Sequence, residues 1–181
     1  MYRYFIKRLL DIVFSLVLII LFLPLMIVVG IISKCVTGHF IFKQKRDGLN
    51  KKSFTMYKFS SIKPSREYSK ILNVLRSFGL DELPQLFNIL KGDMSFIGPR
   101  PFITGETLPK YPDKKTYTVR PGVISLATAN GRRKISHEDR LKYDLIYANK
   151  VSFILDIKIF FKSIYVILKQ NTKGDGEGQT K

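Results

Sequence analysis

No charged residue occurs between Asp11 and Lys34, and residues 12–32 are almost wholly apolar. About 20 such residues suffice to span a bilayer as a helix, so this stretch predicts a membrane helix. A cleaved signal peptide is rejected: its apolar core would be shorter and end at small residues, whereas Lys34, Cys35 and Val36 follow here. Arg3, Lys7 and Arg8 precede the stretch, and Lys34, Lys43, Lys45 and Arg46 follow it. Positive charge favours the cytoplasmic side, so both ends are drawn to the same face. Pro24 lies inside the stretch, where it removes one backbone donor and crowds the preceding turn. A helical hairpin bent at Pro24 satisfies both facts; the alternative is a spanning helix with a tolerated proline. Asp11 stands three residues after Arg8, close enough on a helix to pair with it at the interface.

Beyond the anchor, residues 40–62 alternate short apolar runs around the polar turn Asp47-Gly48-Leu49-Asn50, the pattern of a β-hairpin. Residues 63–79 are polar and irregular up to an apolar fragment at 71–75. Leu83, Leu86, Phe87 and Leu90 then recur at helical spacing and predict an amphipathic helix closed by Gly92. Turn signals follow at Gly98-Pro99-Arg100-Pro101, at 109–112, at Arg120-Pro121-Gly122 and at Asn130-Gly131. Residues 136–148 read as a charged helix and 151–170 as a longer apolar one, with Lys158, Lys162 and Lys169 on one side and Phe153, Phe160 and Ile167 opposite. Such a helix suits an acidic membrane surface. Residues 172–181 are Gly-rich and polar, a composition expected to be disordered. The predicted fold is α+β and mainly helical: a re-entrant membrane anchor over 1–36, then one domain over 37–171 with a short β-hairpin and amphipathic interfacial helices.

Composition narrows the function. With 31 Lys and Arg against 14 Asp and Glu, the formal charge of +17 calls for an anionic partner: nucleic acid, acidic lipid or a phosphorylated substrate. The single cysteine, Cys35, excludes an internal disulfide, and His39 and His137 form no metal-ligand spacing, so all three read as structural.

Three carboxylates invite a chemical reading. Asp81-Glu82 stand at the start of the predicted amphipathic helix, where negative charge and phosphate are both favoured. Helix capping is the plain alternative, weakened by Pro84, which supplies no N–H at the third helical position. A carboxylate brought against phosphate by a divalent cation can instead attack phosphorus. Asp156 is expected in the middle of the apolar side of its helix, where it needs a cation or several donors. Arg100, held between two prolines, is a preset ligand for phosphate.

Taken in order, Lys7-Arg8 with Asp11 and a proline-containing membrane helix, Met56-Tyr57-Lys58-Phe59, Leu80-Asp81-Glu82-Leu83-Pro84-Gln85-Leu86, Lys91-Gly92-Asp93-Met94-Ser95, Gly98-Pro99-Arg100-Pro101 and Arg120-Pro121-Gly122 form a specific combination. From Lys7 to Leu168 the chain resembles the small monotopic phosphoglycosyl transferases of bacteria, which initiate glycan assembly on undecaprenyl phosphate. The resemblance implies a re-entrant helix at the cytoplasmic face of the inner membrane, with UDP-sugar, undecaprenyl phosphate and acidic lipids as partners and nucleic acid not expected. It also implies Mg²⁺ as cofactor. Asp81 matches the nucleophile and metal-binding carboxylate, Glu82 its dyad partner and Arg100 the phosphate ligand. Lys58 and Arg120 are further substrate-binding candidates, and Asp144 and Asp156 support the site. The chain departs from the family pattern at Leu23, Asp47 and Gly79, where Ser, Pro and Ser are usual, and over Val123-Ile124-Ser125-Leu126-Ala127-Thr128. Two competing readings are a membrane-tethered basic binding module without catalysis and a pseudoenzyme scaffold.

Overall fold

The structure, a computed structural model, describes residues 1–62, 69–105, 112–131 and 135–172. Its first element is helix α1, Lys7–Thr37, entered through a wider π-type turn at Tyr2–Ile6. Pro24 lies inside this helix and costs it one hydrogen bond, and the helix is continuous through it as one element. The helix ends at Gly38, whose φ of 81° closes it in the left-handed conformation. One face is buried, at Asp11, Ser15, Met26, Val29, Gly30, Ser33 and Thr37. The other exposes Leu9, Val13, Val17, Ile20, Ile27 and Ile31. Together Tyr2–Thr37 are long and apolar enough to cross a membrane.

The predicted hairpin is present as β1 (Ile41–Asp47) and β2 (Ser53–Phe59), antiparallel, with Gln44 opposite Met56. Within the stretch read as polar and irregular, the apolar fragment at 71–75 is part of helix α2, Lys70–Ser77, whose Leu72 and Leu75 pack with Met26, Val29 and Phe59. Burying each such side chain contributes about 1.5–3 kcal/mol. Residues 63–68 lie outside the described part. The amphipathic helix α3 covers only Gln85–Lys91 and is closed by Gly92, as predicted. Asp81 and Glu82 are not on it: they form a separate 3-10 turn, Leu80–Glu82, because Pro84 has no N–H with which to continue a helix backwards.

After α3 come β3 (Ser95–Ile97) and β4 (Gly122–Ile124), a parallel pair. Their backbones touch where glycine is required: a Cβ on Gly98 would lie 2.3 Å from the Arg120 carbonyl oxygen, and one on Gly122 would lie 2.1 Å from the Gly98 nitrogen. Short helix α4 (Leu126–Ala129), α5 (His137–Lys150) and α6 (Phe153–Thr172) follow. Ile97, Val119, Ala129, Tyr147, Ala148 and Ile159 form the core between them. On α6, Ile154, Ile157, Phe161 and Ile164 face outward. Asp156 does not sit among them as expected; it faces inward with Ile159 and Ser163, because donors await it there.

The first turns of α1 clamp the loop between α3 and β3. Arg8 donates to the carbonyls of Ile89 and Leu90, at 2.6 and 2.8 Å. Asp11 accepts from Ser95 Oγ and the Phe96 N–H, at 3.0 and 3.1 Å. The expected Arg8–Asp11 pair gives way to these contacts, which satisfy helix-end carbonyls and strand donors that would otherwise be orphaned.

Candidate active site

Gly79, with φ of 71°, turns the chain into the Leu80–Glu82 turn and aims Asp81 inward. Asp81 is 7% exposed and accepts a hydrogen bond from Ser61 Oγ at 3.0 Å. Lys58 on β2 reaches Glu82 Oε1 at 2.6 Å. The register between β2 and α3 that allows this is pinned by Asn88, which is fully buried, accepts from the Tyr57 N–H at 3.0 Å and donates to the Thr55 carbonyl at 2.8 Å. Burial, and after it the neighbouring Glu82 carboxylate, push the Asp81 carboxyl above its ordinary value. Lys58 and the Ser61 hydrogen bond oppose that shift. The result is a carboxylate poorly solvated and weakly neutralised, the condition of a reactive oxygen nucleophile.

These residues open into a cavity of about 780 Å³. Lys58, Asp81, Glu82 and Arg100 all line it, so four residues separated by as many as 42 positions converge. Arg46, Arg76 and Ser61 line it as well. Sequence reasoning missed these three. Arg46 enters that reasoning only as a positive charge flanking the membrane stretch, Arg76 lies beside a fragment read only for its apolar residues, and no spacing relates Ser61 to Asp81.

Not every candidate shares the cavity. Arg120 donates from Nε to the Gly92 carbonyl at 2.9 Å and so closes the C-terminal end of α3. Asp156 accepts from Tyr2, Lys7 and Tyr147, joining α6 to the start of α1. Asp144 is fully buried on α5 behind the Pro-Arg-Pro turn and accepts from the Arg100 N–H at 3.3 Å. Pro24 stands on the exposed side of α1, away from all of these.

The donor set suits a hard cation. Asp81 and Glu82 offer adjacent carboxylate oxygens in the cavity, and the described residues contain no cluster of three or more ligating side chains. Mg²⁺ is commonly held by one or two carboxylates with substrate phosphates and water completing its shell, so the pair fits such an ion.

Residues 2–170 match the family model described as bacterial sugar transferase. The sugar transferase EpsL of Bacillus subtilis is 39% identical over 140 residues, covering 70% of this chain and 69% of its own length. The undecaprenyl-phosphate galactose phosphotransferase of Salmonella typhimurium is 34% identical over 197 residues, with 92% of this chain and 41% of the relative covered. The UDP-glucose:undecaprenyl-phosphate glucose-1-phosphate transferase of Klebsiella pneumoniae is 34% identical over 182 residues, covering 88% of this chain and 39% of its own. The chain thus spans about two-fifths of the length of these last two.

Proposed function

The chain belongs to the bacterial sugar transferase family, and from that premise we propose that it transfers a sugar phosphate from a UDP-sugar to undecaprenyl phosphate, releasing UMP. The observation that carries this reading is the convergence of buried Asp81, the Lys58–Glu82 pair and Arg100 on one cavity. Asp81 attacks the sugar-bearing phosphorus with the carboxylate oxygen that Ser61 leaves free. The bond from that phosphorus to the UMP oxygen breaks, and an aspartyl phosphosugar remains. An oxygen of the carrier phosphate then attacks the same phosphorus, frees the Asp81 carboxylate and yields the polyprenyl diphosphate sugar.

Arg100 holds the equatorial phosphate oxygens through its planar fork, and Lys58 keeps Glu82 oriented beside the nucleophile. Asp81 and Glu82 are the residues that would hold Mg²⁺, which when bound supplies the charge neutralisation that lets a carboxylate approach a diphosphate. Two steps spare the enzyme a direct encounter between two anionic phosphates.

The cytoplasmic face of the inner membrane is the proposed location, with α1 entering and leaving by the same side. The packing of α1 supports this path. Near its start α1 holds the α3–β3 loop, and near its end Val29 packs with Phe59 and Leu72, so one domain covers a full face of the helix. Crossing the bilayer would draw polar parts of that domain into hydrocarbon. The outward apolar side of α6, flanked by Lys158 and Lys169, suits acidic lipid.

The test incubates the purified protein with a panel of UDP-sugars and Mg²⁺ without carrier. UMP release and a mass increase of one sugar phosphate on the peptide carrying Asp81 are expected, and Asp81→Asn should abolish both. UMP formed only with carrier present, with no adduct under rapid quench, would rule out the covalent route. No UMP from any UDP-sugar even with carrier would rule out the reaction.

A further inference from the structure

The turn that presents Arg100 is held from every side by named groups. The Gly98 N–H donates to the Ile124 carbonyl at 3.0 Å, and the Pro99 carbonyl accepts from the Gly122 N–H at 2.8 Å. Arg46 donates to the Pro101 carbonyl at 3.0 Å, and the Asp47 N–H donates to the Phe102 carbonyl at 2.9 Å. Proline has no N–H, so between residues 99 and 101 the one backbone donor is that of Arg100. It points at Asp144 Oδ1, 3.3 Å away on α5. Asp144 is fully buried, and among the described residues its Oδ2 has no hydrogen-bond partner. A carboxylate placed so costs stability wherever one oxygen goes unpaired. Leucine or asparagine would fill the space at lower cost, so the position is better explained by what Asp144 does for Arg100.

We propose that Asp144 is the positioning residue of Arg100: its carboxyl takes the single amide of the Pro-Arg-Pro turn and thereby fixes the direction in which the guanidinium enters the cavity. Four of the five restraints on the turn use backbone carbonyls as acceptors, three of them in backbone–backbone bonds and one taking the Arg46 guanidinium. Of these five restraints, the Asp144 bond is the one that acts on the residue that carries the guanidinium. Arg140, one turn earlier on α5, lies with its guanidinium 5.0 Å from the Phe102 ring centre and braces the far side of the same turn. The inference rests on the reading of Arg100 as a phosphate ligand, and its test separates the two.

The first measurement is backbone amide exchange at residue 100 of the full-length wild-type protein in detergent, by mass spectrometry with gas-phase fragmentation. Flanking prolines leave this the only exchangeable amide of residues 99–101, so fragments resolve it. Slow exchange supports the proposal and fast exchange overturns it, whatever the activity. The second uses Asp144→Leu, which removes the acceptor, and Asp144→Asn, which keeps one. Asp144→Leu should release the amide and lower kcat/KM for the UDP-sugar on the order of 100-fold, as misplacing a phosphate ligand by about 1 Å does. Asp144→Asn should stay within about 10-fold of wild type, having lost only the charge on the acceptor. In the Arg100→Lys background, Asp144→Leu should add less than about twofold, because residues acting through one group are not additive. Fully additive losses, or a Leu variant with a freed amide and wild-type kcat/KM, would overturn the assignment. Should wild type release no UMP from any UDP-sugar, the functional reading fails while the exchange experiment still decides the placement.

Discussion

Arg100 and Asp144 show how single side chains divide the work of binding and placement. Arg100→Lys keeps the charge but replaces a planar fork with a point charge, and should cut UMP release about 10–100-fold without altering thermal unfolding. Rates near wild type in purified enzyme would mean that Arg100 does not clamp phosphate. Asp144 allows a prediction with a definite sign. Burial raises its carboxyl from 3.8 to about 7, against the smaller opposing effects of the Arg100 N–H and the Arg140 and Arg100 charges. Below about pH 4 the group is protonated whether the chain is folded or not. Between there and pH 7 the folded state keeps a proton that the unfolded state has lost, so stability falls as pH rises, by on the order of 4 kcal/mol in total. Asp144→Asn removes this dependence while keeping an acceptor. The variant should melt above wild type at pH 7.5, with the gap shrinking toward pH 5. Asp81, whose carboxyl is also raised, is present in both proteins and cancels in the difference. A gap that does not widen with pH would show that Asp144 is not the titrating group.

At the scale of elements, what could be read in advance followed from period and punctuation. The spacing of Leu86, Phe87 and Leu90 with Gly92 gave α3 and its end, and alternation around Asp47-Gly48 gave the β1–β2 hairpin. Leu83, however, precedes the helix, and the buried face of α3 runs through Leu86 and Ile89 with Phe87 exposed. Pro84 was legible as an obstacle to capping, though not as the cause of a separate 3-10 turn beneath the dyad. Strands β3 and β4 have three residues each, too few to show any period, so the parallel pair that supports the Arg100 turn was invisible. Its signature lay in two glycines read only as turn formers. Gly98→Ala would drive a methyl into the Arg120 carbonyl, a backbone atom that cannot turn aside. The cost should be at least about 3 kcal/mol, with loss of folded protein on size exclusion in detergent. Gly92→Ala is the milder comparison. Its φ of 98° is unfavourable for alanine, but the crowding atom, 3.2 Å away, is a side-chain nitrogen of Arg8 rather than backbone. A loss of about 1–2 kcal/mol by thermal unfolding is expected. If the two variants proved equally stable, the close approach of β3 and β4 would not be what holds the turn.

For the whole molecule, the decisive question is how a continuous helix of this length meets a bilayer while carrying a domain along one face. Residues 9, 13, 17, 20, 27 and 31 offer an apolar exterior along almost all of α1. The opposite face is occupied at its beginning by Arg8 and Asp11 on the α3–β3 loop and at its end by Ser33 and Thr37. If the two ends lay on opposite sides of the membrane, α3 and the hairpin would have to follow the helix through hydrocarbon, exposing Lys43, Lys45 and the cavity rim. If α1 instead enters shallowly and returns, its outer face and that of α6 meet lipid while Lys58, Asp81 and Arg100 stay at the aqueous side. Pro24 fits the second course. It leaves the residue-20 carbonyl without its usual donor on the exposed side of the helix, which is better tolerated near the polar interface than at the bilayer centre. The chain contains one cysteine, so Cys35→Ser gives a blank background for labelling. In that background Tyr4→Cys and Lys45→Cys, both at exposed positions, report on the two flanks. A membrane-impermeant maleimide added to intact cells should label neither, and should label both once the inner membrane is opened. Labelling of position 4 in intact cells with position 45 protected would put the ends on opposite sides and sink the re-entrant path. Pro24→Leu restores the missing donor and makes the helix equally suited to the bilayer centre, so partial labelling at position 4 in that variant is the expected trace of molecules that have crossed.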